Sequence, residues 1–180
     1  MVVAFGRRLT RDPDIRDGAT GAPEQRPASD AVLLGCHGGA GTSTLAALLG
    51  TPWELGGHAP GLERIETFGR PLILVSRDSA PAVARAVEAV TAVVDAGATV
   101  ACLTVVADGS GPEPREASVR LRLIEDRARR IVRFPFIAAL RYADTADLDK
   151  IRLPRKAERA LAEIRDARPD GEPRGTHRTE

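Results

Sequence analysis

Four short runs of mostly aliphatic residues, separated by stretches of helical period, constrain this chain more than anything else in it. They are residues 31–36 (AVLLGC), 72–76 (LILVS), 99–106 (TVACLTVV) and 131–136 (IVRFPF). A strand that is apolar throughout has to be covered on both faces. Strands that alternate with helices imply a parallel sheet joined by crossovers. The expected fold is therefore α/β: a small, mostly parallel, Rossmann-like sheet in three layers, with helices on both faces.

The intervening segments carry helix punctuation. TSTLAALL, residues 42–49, reads as a helix that ends near Gly50. Ser79 stands as an N-cap with Pro81 in the first turn, and Gly97 closes that helix. Its Val83, Val87, Val90 and Val94 step along one face, while Arg85, Glu88 and Asp95 point away. Pro114 opens an arginine-laden helix with Ala117, Leu121, Ile124 and Ala128 as its buried stripe, and Pro154 opens a last one on Ala157, Leu161 and Ile164. Pro135 marks the fourth strand as fraying or lying at an edge. Residues 51–70 leave open whether the chain forms a strand there or only crosses the sheet.

Domain organisation follows from composition. Residues 1–29 are rich in Arg, Asp, Gly and Pro and lack periodic apolar positions after Phe5, so they are expected to be a disordered N-terminal tail. Residues 167–180 read the same way, leaving 30–166 as one α/β domain. A net charge of +1 gives no global field directed at nucleic acid or membrane. No leader and no apolar run of membrane-spanning length is present, and a cytoplasmic protein with no membrane span is expected. Cys36 and Cys102 sit in apolar stretches without neighbouring cysteines, as small core residues of a reduced protein do.

The segment Gly35-Cys36-His37-Gly38-Gly39-Ala40-Gly41-Thr42-Ser43-Thr44 joins a buried strand to a helix. Glycines in that context let the backbone approach an anion and aim successive N–H groups at it, and the helix N-terminus adds the positive end of its dipole. HGGAGTST resembles the deviant Walker A motif of the ParA/MinD family of P-loop ATPases. Gly38, Gly39 and Gly41 match that motif's glycines, and Ser43 and Thr44 match its hydroxyl pair. The stretches LILVSRDSAPAVARAVEAV and VVADG, and residues 134–164, are similar to later parts of the same fold.

The resemblance implies a P-loop domain in which His37, Gly38, Gly39, Ala40, Gly41, Thr42, Ser43 and Thr44 hold phosphate. Ser43 would be the ligand to magnesium, Asp108 would face the base, and the cofactor would be ATP or another nucleotide with Mg²⁺. It also implies a protein partner in a positioning, secretion or conjugation-type machinery. His37 and Thr42 stand where the family has its two lysines, and the chain's only lysines are Lys150 and Lys156. The Walker lysine neutralises phosphate charge and stabilises the charge that shifts during transfer. Threonine offers one hydrogen bond and no charge, so weak binding with little or no hydrolysis is expected, and no catalytic residue is assigned. The alternative is an interaction or scaffold protein that keeps the loop as a relic.

Several residues admit two readings. His37 contacts phosphate or is a solvated loop residue, and Asp108 faces a base or belongs to an Asp-Gly turn. Trp53 anchors the shortened region or stacks on a bound base. Arg115, Arg120, Arg122, Arg127, Arg129, Arg130 and Arg133 form a basic patch for nucleic acid or an acidic partner, or else a salt-bridged, solvated face interleaved with Glu116, Glu125 and Asp126.

Overall fold

The first strand, β1 (Val32–Gly35), is buried along its whole length, as its unbroken aliphatic composition requires. It lies in a computed structural model that describes residues 29–59, 61, 64–109 and 111–167. The tails expected at 1–29 and 167–180 lie outside the described residues except for Ser29 and Ala167. Ser29 donates its N–H to the Leu49 carbonyl, and Ala167 is buried against the core.

The elements follow as α1 (Thr42–Leu49), β2 (Glu54–Gly57), β3 (Leu72–Arg77), α2 (Ala80–Asp95), β4 (Val100–Val106), α3 (Arg115–Arg122), β5 (Ile131–Phe134) and α4 (Arg155–Arg165). Two short 3₁₀ segments, Ala138–Arg141 and Thr145–Lys150, stand between β5 and α4. The five strands form one sheet in the order β2-β1-β3-β4-β5, with every pair parallel.

Side chains alternate across the sheet, so each strand feeds two cores. On one face Leu33, Ile73, Val75, Val132 and Phe134 pack with Leu45 and Leu49 of α1 and with Ala157, Leu161 and Ile164 of α4. On the other, Val32, Leu34, Leu74, Leu103 and Val105 pack with Val83 and Val90 of α2 and with Leu121 and Ile124. The protein is thus a three-layer α/β domain with a parallel, Rossmann-like sheet.

Five local features are settled or modified. Glu54–Gly57 is a strand, carried by backbone pairing to β1 with a bulge that sets Leu33 opposite Glu54 and Gly35 opposite Gly57. The buried face of α2 is Val83, Ala86, Val90 and Val93, with Val87 and Val94 only half-buried, because alanines provide the close approach to the sheet. Ser79 is the N-cap of α2, yet its hydroxyl makes no capping bond. α3 stops at Arg122, and the chain continues through turns that still bury Ile124 and Ala128. β5 ends at Phe134, just before Pro135, and is an edge strand.

Candidate functional site

The glycine-rich loop leaves the carboxyl end of β1. From β1 the chain goes to β2 on one side and then to β3 on the other. That reversal opens a crevice at the carboxyl ends of the strands, where open parallel sheets place their ligands. Gly39 (φ 74°) and Gly41 (φ 93°) take the left-handed conformation that side chains disfavour. Successive amides in such turns can form an anion-binding concavity. A Cβ added at Gly38, Gly39 or Gly41 would meet no atom of the described residues within 4 Å, so this side of the loop is open among them. No side chain caps α1, which is equally true of α2, α3 and α4.

The side chains around the loop do not all turn toward its open side. The His37 Nε2 accepts the Arg77 backbone N–H at 3.3 Å and lies 3.5 Å from the Ser76 hydroxyl. Its Nδ1 is 2.9 Å from the Gly38 carbonyl, which assigns the hydrogen to Nδ1 and makes this ring a brace between the loop and β3. Ala40 and Thr42 are buried. The Thr42 Oγ1 is turned against Gly35, where an added Cβ would lie only 2.6 Å away. Ser43 is exposed and donates to Glu54 Oε1 at 2.7 Å.

Thr44 and Gly41 line a cleft of about 250 Å³ beside the loop. Leu45, Leu48, Val106, Phe134, Ile137 and Leu140 make its apolar wall, and Arg77 and Arg141 bring charge to it. Arg77 donates from Nε to the Gly39 carbonyl at 3.1 Å and from Nη1 to Asp108 Oδ1 at 2.7 Å. Arg141 reaches the same Asp108 carboxylate at 3.2 Å and the Asp108 carbonyl at 3.1 Å, and it lies over the Phe136 ring at 5.4 Å. The Asp108 N–H donates to the buried Asp78 at 2.9 Å. Asp108 therefore stands at the strand end near the loop, with its carboxylate engaged by two guanidinium groups. A larger, shallower hollow of about 660 Å³ lies at the amino ends of β3 and β4, away from the loop.

Three residues of this neighbourhood escaped the sequence reading. Arg77 carried a usable signal, as a charged residue at the carboxyl end of a buried strand. Glu54 had none, since its strand was unrecognised, and Arg141 sits in an irregular segment. Trp53 is outside the cleft lining and carries the Arg70 guanidinium 4.4 Å above its ring. The arginine cluster is extensively paired. Arg120 meets Glu116, Arg127 meets Asp95, Arg133 meets Glu113, and Arg130 donates to the Glu163 carbonyl. Both cysteines are buried, and burial pushes the thiols up to about 12 for Cys36 and about 11 for Cys102.

Among the described residues no three His, Cys, Asp or Glu side chains are grouped to hold a metal, and no helix is long and apolar enough to cross a membrane. No family model matches the chain, and no curated protein or solved structure matches it. The class defined by fold and site is a three-layer α/β domain with a glycine-rich strand-to-helix loop opening onto a small cleft.

Proposed function

We propose that this is a degenerate P-loop protein of the ParA/MinD type that binds a nucleotide or another phosphate ester weakly. It acts as a regulatory or assembly component and hydrolyses its ligand little or not at all. The observation that carries this reading is the open side of the loop at Gly38, Gly39 and Gly41, next to a cleft that shares Gly41 and Thr44 with it. Phosphate would lie against the loop amides at the start of α1, and an apolar part of the ligand would enter the cleft.

A magnesium ion fits the donors at hand. Ser43 and Glu54 present a hydroxyl and a carboxylate 2.7 Å apart, and magnesium commonly takes one or two protein oxygens and completes its shell with phosphate and water. Hydrolysis has less support. Thr42 turns away from the open side, and neither lysine is in the cleft lining, so the loop itself supplies no cation for the transferring phosphoryl group. The resemblance of the motif favours service to a positioning, secretion or conjugation-type machinery through a protein partner.

The second reading, a scaffold with a relic loop, draws on β2. Among the described residues it pairs with β1 alone, and Leu55 and the neighbouring Trp53 are exposed. An open edge strand is a ready template for another chain.

Calorimetric titration with ATP, ADP, GTP and GDP in magnesium separates the two. Gly38→Asp is the control of choice, because it places a carboxylate at the loop where there is room and φ is not positive. Binding that Gly38→Asp abolishes is expected. No heat from folded protein with any of the four would leave the scaffold reading.

A further inference from the structure

Two guanidinium groups, delivered by different elements, converge on the Asp108 carboxylate beside the loop. Arg77 comes from the end of β3 and is tied to the loop twice, through its N–H to His37 and its Nε to the Gly39 carbonyl. Arg141 comes from the 3₁₀ segment after β5, with Phe136 behind it. Both line the cleft, and neither is within sixty residues of the other in sequence.

We propose that Arg77 and Arg141 are the cations of this anion site, supplied from outside the loop that lacks them. Asp108 is then a built-in occupant that an incoming phosphate monoester displaces. The inference rests on the loop reading above and names the ligand class for the same site. A carboxylate brings one negative charge and two oxygens to the pair. A phosphate monoester brings nearly two charges and three oxygens, and the planar guanidinium fork matches its geometry. Asp108 is about half-exposed, so the exchange requires no opening of the core. Its backbone bond to Asp78 remains when the side chain lets go.

The cleft defines the rest of the ligand. At about 250 Å³ it falls below the range of roughly 300–1,000 Å³ that drug-sized ligands occupy. Apart from Gly41, Thr44, Arg77 and Arg141, the residues that line it are apolar, Leu45, Leu48, Val106 and Phe134 among them. The occupant is therefore a phosphate ester whose apolar part is about one ring system.

The experiment uses phenyl phosphate and inorganic phosphate as probes. Each is titrated calorimetrically into the full chain, Asp108→Asn, Arg141→Gln, Arg77→Gln and Gly38→Asp/Asp108→Asn, with thermal melts to establish folding. Asp108→Asn is expected to bind phenyl phosphate roughly tenfold more tightly than the natural chain, the scale of releasing two exposed ion pairs. Arg141→Gln, at an exposed side chain, is expected to weaken it by about as much. Inorganic phosphate should bind more weakly than phenyl phosphate throughout.

Unchanged or weaker binding by Asp108→Asn, with the natural chain binding, overturns the inference and leaves the loop reading standing. Binding by Asp108→Asn that persists with Gly38→Asp added sinks the loop reading and, with it, the assignment of the two arginines to the loop's anion site. Absence of binding in every folded variant sinks both.

Discussion

Replacing Gly35 by alanine tests the tightest contact around the loop. A Cβ at this position would lie 2.6 Å from Thr42 Oγ1, 3.2 Å from the His37 carbonyl and 3.3 Å from the Gly56 carbonyl. The backbone angle is not the obstacle, since only the space is missing. Two of the three neighbours are backbone atoms of the loop and of β2, so relief requires moving the end of the sheet. Overpacking of this kind costs about 1–3 kcal/mol, and the fixed backbone partners favour the upper half of that range. For a domain of this size that is a fall in Tm of roughly 5–10 °C.

Thermal and urea melts followed by far-UV circular dichroism would measure it, with Gly38→Ala as the matched control in open space. That control should stay within about 0.5 kcal/mol of the natural chain. Thr42→Ala removes the closest of the three contacts. The double variant should therefore recover about 1 kcal/mol relative to additivity. A Gly35→Ala protein that melts with the natural chain, or a cycle with no coupling, would refute the packing argument.

Two further expectations concern titratable groups. Cys36 and Cys102 are buried with thiols raised to about 12 and about 11, so a thiol-reactive dye at pH 8 should label neither until urea unfolds the chain; rapid labelling of native protein would contradict the burial. Glu113 is held below the usual carboxylate range by its hydrogen bonds from Arg133, with burial opposing and Ser118 assisting. Its folded value lies below its unfolded one, so its contribution is complete above about pH 5 and is lost as pH falls through the folded value. Glu113→Gln should cost about 1 kcal/mol at pH 7, with the gap closing in acid; an equal gap at pH 7 and pH 3 would mean that packing, not charge, sets it.

The strands that could be read from sequence are those whose burial is written in their composition. β1, β3 and β4 are mostly aliphatic because helices cover both sides of them, and no other local structure suits such short runs. β2 was illegible for the opposite reason. Glu-Leu-Gly-Gly has little strand preference and mostly exposed side chains, and only its backbone pairing to β1 makes it a strand. The end of α3 was over-extended because Ile124 and Ala128 keep helical spacing after the helix has stopped, a periodicity that turns reproduce here.

In the candidate site, the loop itself was conspicuous through its glycines. The directions of its side chains were not. Nothing in the spacing of His37 and Arg77 tells that one braces the other across forty residues. Nor does sequence bring Arg141 to Asp108, because that meeting depends on where an irregular 3₁₀ segment crosses the strand ends.

The two-sided burial of β1 has a consequence for its alignment in the sheet. In a half-exposed strand, slipping by one residue drives polar groups inward, and that penalty fixes the register. Here both faces are aliphatic, so Val32, Leu33 and Leu34 could exchange cores with little change of polarity. The residue that distinguishes one alignment from the next is Gly35, because any slip would bring a side chain under Thr42 and the Gly56 carbonyl where only hydrogen fits. An absent side chain thus indexes β1 against its neighbours β2 and β3, much as a notch indexes a shaft.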